Sequence, residues 1–321
     1  MEGRPPNPPV KSGSHLERVL AAGRFAVTAE VVPPPSPDPA PLLAVARKLK
    51  GFADAFNVTD NPRARVHMAS WAGAALLLHE GLEPVMQIAT RDRNRIALQA
   101  DILGASALGV RNVMALSGDD PKAGNEPGAA TVSDMDTETF IETLRDLREK
   151  GVLHGGDPVD PRPPLFIGAT ANPFGGSMED SFVNLRGKAE AGADFVQTQA
   201  IFDLDAFEEW MHLVRKEWIH EKLHILAGVV PLKSAKVARF MNEKVPGVVV
   251  PPAVVKRLEK SSDAKAEGLA IAVEAVQALQ KVEGVRGIHL MAVNWEEAVL
   301  SIVRRSGLLP RPEVSSSDTK P

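Results

Sequence analysis

The 321-residue chain contains no cysteine and no tyrosine. Without thiols it can form no disulfide, thiolate zinc site, cysteine-ligated iron–sulfur cluster or cysteine nucleophile, so redox chemistry in it needs a bound organic cofactor or another subunit. Aromatic residues make up only 5%, and with tyrosine missing, a ligand ring can stack only on Phe, Trp or an aliphatic side chain. No run of about eighteen apolar residues occurs, which leaves no candidate for a membrane-spanning helix. Lys and Arg are scattered under a formal net charge of −4, so the basic footprint of a nucleic-acid binder is missing and a small-molecule partner is expected. The opening MEGRPPNPPVKSGS is polar and Pro-rich without an apolar signal region. The expectation is a cytoplasmic protein with residues 1–20 and 310–321 disordered around one domain at 21–309.

What is present is 44% hydrophobic residue content, ample for a large core. Short runs rich in Val, Ile, Phe and Ala fall at 25–32, 55–59, 84–89, 112–117, 165–171, 195–198, 225–230 and 287–293. Helix-period segments follow them at 40–50, 65–79, 93–108, 137–150, 178–191, 204–216, 235–242 and 295–306. Eight strands so uniformly apolar, each followed by a helix, predict an α/β fold of the closed (β/α)8 TIM-barrel type. A doubly wound sheet is disfavoured because the rigid run Pro33-Pro34-Pro35 stands where a Gly-rich dinucleotide turn would be. Residues 251–280 read as an extra helical segment before strand eight. Two long connections, 119–136 and 152–164, have lengths typical of functional loops.

In such a barrel the C-terminal strand ends converge on one mouth. Polar residues there are Glu30, Thr59, Asp60, Gln87, Thr90, Ser117, Gly118, Asp119, Thr170, Asn172, Gln197 and Gln199. Glu30 lies in an apolar strand, where an ionised carboxylate costs several kcal/mol, of order 3–5, unless paired. It therefore either pairs with Lys or Arg or carries a raised pKa suited to general-acid catalysis, with Asp119 as a second carboxylate. Gln199 can donate and accept, fitting a flavin, pterin or nicotinamide edge, or else a structural amide role. Lys188 could reach a phosphate or snorkel to water. His220-Glu221-Lys222-Leu223-His224 spells H-E-x-x-H, but it abuts strand seven, where one helical face is not maintained. A chance match is expected, and His67, His79 and His289 read as structural or surface residues.

Six segments in order carry a resemblance: AEVVPP (29–34), NVTDNP (57–62), QIATRDRNR (87–95), LGVRNVMALSGDDP (108–121), GATANP (168–173) and KAEAGADFVQTQAIFD (188–203). Over nearly the whole chain the sequence resembles the methylenetetrahydrofolate reductase family, in its short bacterial form of a single catalytic barrel. The resemblance implies an enzyme that reduces 5,10-methylenetetrahydrofolate to 5-methyltetrahydrofolate by hydride transfer from a flavin, itself reduced by NADH or NADPH. It implies Glu30 as general acid and Asp119 as the charge that stabilises an iminium. It implies substrate contacts at Gln199 and Phe240, and cofactor contacts at Thr59, Gln87, Ser117, Gly118, Asp119, Ala169, Asn172 and Lys188. The chain departs from the FAD-binding members, which have His, Arg and Tyr where it has Gln87, Ser117 and Asn172. That leaves FMN open beside FAD. Trp295 stands in place of an Arg, which puts recognition of the folate tail in question.

Three other readings stay open. One is a C1 reductase subunit that takes electrons from a partner protein, the expected assembly being either a homo-oligomer or a complex with such an electron-transfer subunit. Another is a folate- or flavin-binding accessory barrel without turnover. The third is a flavin-linked amine dehydrogenase, which would not need Glu30.

Overall fold

A computed structural model describes residues 10–292 and 294–314. In chain order the elements are α1 (His15–Ala21), β1 (Ala26–Val31), α2 (Ala40–Leu49), β2 (Ala55–Val58), α3 (Ser70–His79), β3 (Pro84–Ala89), α4 (Arg95–Ala107), β4 (Asn112–Leu116), α5 (Thr137–Glu149) and β5 (Phe166–Ala171). They continue with α6 (Met178–Ala191), β6 (Phe195–Ala200), α7 (Leu204–Lys216), α8 (Ile219–Lys222), β7 (His224–Val229), α9 (Ala235–Lys244), α10 (Pro252–Lys260), α11 (Ala264–Leu279), β8 (Val285–Leu290) and α12 (Glu296–Arg305). The eight strands pair in parallel in sequence order, and β8 closes on β1, so the expected (β/α)8 barrel is what forms. The end of the strand expected at 287–293 reaches Val293, which lies outside the described residues.

Alternation along each strand sorts the core into two layers. Outward-facing Val27, Ala29, Phe56, Val58, Met86 and Ile88 pack under the helices. Helix α7 meets that layer with Phe207, Trp210, Met211 and Val214, a spacing of three and four residues that keeps one face against the sheet. Inward-facing Ala26, Ala55, Val85, Phe166, Phe195 and Leu226 fill the lower barrel, where the rings of Phe166 and Phe195 stack at 5.0 Å.

The first twenty residues differ from the expectation of disorder. Residues 1–9 lie outside the described ones, but α1 is a folded plug whose Leu16, Val19 and Leu20 are buried against that lower layer. Two carboxylates tie it down. The Glu17 carboxylate accepts from the backbone N–H groups of Lys11, Ser12 and Gly13 at 2.5, 2.8 and 2.9 Å, and Glu83 accepts from those of His15 and Leu16 at 2.5 and 2.7 Å. The tail is likewise held as far as it is described. Arg311 reaches Asp54 at 2.6 Å and the Phe25 carbonyl at 2.7 Å, both beneath the barrel; residues 315–321 lie outside.

The extra segment before β8 is two helices, broken at Ser261–Asp263, with Asp263 capping α11 through the N–H groups of Lys265 and Ala266. The crossover position between β7 and β8 belongs to α11, which packs on β7, α7 and α12 and buries Ile271, Ala272, Val276 and Leu279. Helix α9, expected in that role, buries only Ala238 and pairs with α10 instead.

Candidate functional site

Halfway up the barrel the aliphatic filling gives way to amides. Asn57 donates to the Gln197 Oε1 at 2.6 Å, and the Gln197 Nε2 donates to Asn57 Oδ1 and Thr28 Oγ1, both at 3.0 Å. Thr28 Oγ1 also lies 3.0 Å from Nδ1 of His289. Four strands thus contribute one buried side chain each to a connected polar layer, stable because its members satisfy one another. Burial pushes His289 down to about 3, so its ring is neutral. The sequence reading passed His289 over as structural or surface; the period-two spacing of His289 and Met291 is the signal that both face inward.

Above this layer the strand ends enclose a cavity of roughly 280 Å³, lined by Glu30, Gln87, Thr170, Asn172, Gln199 and Met291 among others. Glu30 sits two residues above Thr28 on the inner face of β1. Burial pushes its carboxyl up to about 7, and no Lys, Arg or hydrogen-bond donor meets it among the described residues. Of the two outcomes expected for a carboxyl in this strand, the unpaired one is realised. A carboxylic acid of that pKa keeps its proton near neutrality, as a proton donor to a bound ligand must.

The structure brings six of the expected strand-end residues into this cavity, Glu30, Gln87, Thr170, Asn172, Gln197 and Gln199. Thr59 is buried just past β2, and its Oγ1 finds no partner, so a ligand acceptor or donor there would satisfy it. Ser117, Gly118 and Asp119 stand exposed on the loop after β4. Asp119 does not reach down beside Glu30 in the cavity lining. Its Oδ2 accepts from the backbone N–H of Arg63 at 2.7 Å, and its carbonyl accepts from Nη1 of Arg91 at 2.9 Å. Arg63 belongs to a loop where Asn61, Arg63 and Ala64 all have left-handed φ (45°, 55° and 51°). That tightly wound turn is what delivers a backbone N–H to Asp119. Gly118, at φ 88°, leaves only 3.0 Å to Cβ of Arg91 for any added Cβ, so a side chain there would be strained and crowded.

Arg91 and Arg93 hold the rim of the mouth, a role the sequence reading did not give them, although both lie in the quoted QIATRDRNR. Arg91 is buried against Asp92 at 2.5 Å, while Arg93 bridges Asp60 at 2.6 Å and Asp101 at 2.8 Å. Together they tie the loops after β2, β3 and β4 into one rim.

The remaining candidates lie further out. Lys188 is buried rather than snorkelling: Nζ donates to the Thr170 carbonyl at 2.8 Å and to Asn184 at 2.7 Å, and burial pulls its pKa down. Ala169 points its methyl into the helix-facing core, leaving only its backbone toward the barrel mouth. Phe240 is 55% exposed on α9 and is not part of the cavity lining. The H-E-x-x-H pentapeptide does straddle the end of α8 and the start of β7, and among the described residues no cluster could hold a metal ion.

Fold and site together define a parallel (β/α)8 barrel with a protonatable carboxyl in a polar cavity at its C-terminal mouth. The family model described as methylenetetrahydrofolate reductase matches residues 15–307, and the chain belongs to that family. Among its relatives, Methylenetetrahydrofolate reductase 1 of Schizosaccharomyces pombe is 28% identical over 240 residues, covering 71% of this chain and 36% of the relative. The 5,10-methylenetetrahydrofolate reductase of Pectobacterium carotovorum subsp. carotovorum is 24% identical over 240 residues, 73% of this chain and 72% of the relative. The chain thus spans about a third of the length of the yeast protein it matches and most of the bacterial one. A solved structure from Clostridium thermocellum, of a protein that binds two copies of 5-methyl-5,6,7,8-tetrahydrofolic acid, shares the fold. It has a TM-score of 0.63 at 12% identity, covering 91% of this chain and 98% of that one.

Proposed function

We propose that this barrel reduces 5,10-methylenetetrahydrofolate to 5-methyltetrahydrofolate, with a flavin at the mouth and NADH or NADPH as the source of electrons. The observation that carries the reading is Glu30, a carboxyl held unpaired at about 7 inside the mouth cavity of a chain of this family. A bound flavin would supply the hydride, since the chain has no redox group of its own. The residues present fit such a group in part. The orphaned Thr59 hydroxyl and the amides of Gln87 and Asn172 offer neutral contacts to a ring or ribityl chain, and buried Lys188, with two of its three N–H groups engaged by Thr170 and Asn184, would have one left for a phosphate. With Ser117 where an arginine would meet phosphate, FMN remains as good a fit as FAD.

Within this reading Glu30 gives its proton to the leaving nitrogen of the imidazolidine ring. The C–N bond breaks with its electron pair going to that nitrogen, and the other nitrogen becomes the cationic iminium. Hydride addition to the iminium carbon completes the methyl group. Asp119, held by the Arg63 N–H on the exposed rim and outside the cavity lining, would lend its negative charge to the cation from there, and Gln199 contacts the pterin.

Glu30→Gln should slow the folate half-reaction by about 10² to 10⁴, the usual worth of a positioned general acid, while flavin reduction by the nicotinamide stays within about twofold. Stopped-flow measurement of each half separately checks this. Equal loss in both halves would assign Glu30 a structural role.

A further inference from the structure

Strand β6 does not run regularly into the mouth. Gln197 pairs with Leu226, yet Ala200 pairs with Gly228, so the two residues Thr198 and Gln199 stand against Ala227 alone. This is a β-bulge, a device that turns side chains out of the strand's alternation next to functional sites. Two features hold it. The Thr198 hydroxyl donates to the Gln199 carbonyl at 2.8 Å and accepts the Gly228 N–H at 2.9 Å, replacing ladder bonds that the extra residue displaces. Gly228 permits the approach, because a Cβ there would lie 2.3 Å from the Thr198 carbonyl oxygen. The bulge also fixes the Gln199 amide. Its Oε1 accepts the Ala200 N–H at 3.0 Å, which leaves the Nε2 hydrogens without a partner among the described residues and the side chain in the cavity lining.

We propose that Thr198 is a positioning residue, whose hydroxyl closes the β6 bulge and so presents Gln199 to the ligand as a donor, toward a carbonyl-type acceptor on the pterin. The choice of pterin rests on the folate reading above; the bulge does not. Thr198 acts through Gln199 and makes no demand on the reacting atoms.

The test uses the flavin-loaded full chain in four forms beside wild type: Thr198→Val, Thr198→Ser, Gln199→Ala and the Thr198→Val/Gln199→Ala pair. Thr198→Val keeps shape and removes both hydrogen bonds, so amide exchange at Gly228 should quicken at least tenfold, while Thr198→Ser should leave it near wild type. The dissociation constant of methylenetetrahydrofolate should rise about 3- to 10-fold in Thr198→Val, the range expected for one lost hydrogen bond. It should be restored in Thr198→Ser, and Thr198→Val should add less than twofold on the Gln199→Ala background. Unchanged Gly228 exchange in Thr198→Val overturns the device, and full additivity with Gln199→Ala overturns the route through Gln199. A wild-type chain that binds no folate while Gly228 exchange responds as described would instead count against the folate reading and leave the bulge standing.

Discussion

Glu30 behaves as a switch between two protonation states, and its titration has two signatures of opposite use. In the folded chain its carboxyl is raised from 4.5 to about 7 by burial. Below about 4.5 the group is protonated in folded and unfolded chains alike. Between 4.5 and 7 the unfolded chain releases the proton and the folded one keeps it, so folding stability from this group falls as pH rises across that window, by at most a few kcal/mol, ~1.4 per unit. His224 and His289, pushed down to about 4 and about 3, act in the other sense and add stability as pH rises toward 6.5. The comparison is therefore made against Glu30→Gln, which removes one titration and keeps the others. Denaturation of both proteins at pH 5 and pH 8 should find the variant gaining on wild type at pH 8. Folate reduction by wild type should fall about tenfold per unit above pH 7, as the acid form is lost. A variant with the same pH slope as wild type would mean that Glu30 is ionised throughout. At this scale the sequence was informative about residue types at strand ends, and Glu30, Gln87, Asn172 and Gln199 do meet. It named Asp119 but not where its carboxylate lies, because the contact that holds that side chain comes from the left-handed turn at Asn61–Ala64, whose geometry no residue type in NVTDNP announces.

Elements were legible where burial is two-sided. Seven of the strand runs stand within about two residues of the strands, since an apolar run with helices on one face and the barrel interior on the other has little freedom to be anything else. The exchange of roles between α9 and α11 was not legible, because both segments have helical periodicity and only contact with β7 decides which one lies in the barrel layer. The β6 bulge is hidden for a similar reason: VQTQ alternates like any regular strand, and its extra residue shows only in pairing with β7. Helix α1 was missed because its polar lead-in resembles a loose terminus, whereas its carboxylates are consumed by backbone N–H groups. That helix yields a prediction. Leu16 is fully buried in the floor beneath Phe166 and Phe195, so Leu16→Ala should cost about 2–5 kcal/mol in chemical denaturation. A loss under 1 kcal/mol would show that α1 is an appendage and not part of the core.

Among the described residues the two ends of the barrel differ: the unpaired Glu30 carboxyl and the amides line the C-terminal mouth, and α1 and Arg311 meet on the N-terminal floor. Asp54 is the joint of that floor. Burial by itself would raise its pKa, but His15, Arg311 and the Val27 N–H outweigh burial and hold the carboxyl below its usual range. Its Oδ2 accepts from Val27 at 2.7 Å and from Arg311 at 2.6 Å, so start, strand β1 and tail meet at one carboxylate. Arg311→Met keeps much of the side-chain volume and removes the charge, leaving the buried Asp54 carboxylate without its closest cation, with the Val27 N–H at 2.7 Å and His15 at 3.7 Å as its remaining partners. The expected cost is about 3–5 kcal/mol at pH 7, the range for breaking a buried ion pair from one side. Replacing both partners, as Asp54→Asn with Arg311→Met, should cost less than Arg311→Met alone, because no uncompensated charge remains and the amide oxygen can still accept from Val27. The single variant's deficit should shrink in acid, since Asp54 without its arginine takes up a proton more readily than in wild type. Folate turnover at 20 °C should stay within about twofold of wild type in both variants, since no residue of the mouth cavity touches this joint. Urea denaturation at pH 7 and pH 3, with turnover measured on the same preparations, checks all three statements. Turnover that drops with stability would mean that floor and mouth are coupled, and a double variant weaker than the single one would mean that the Arg311→Met deficit does not come from an uncompensated charge on Asp54.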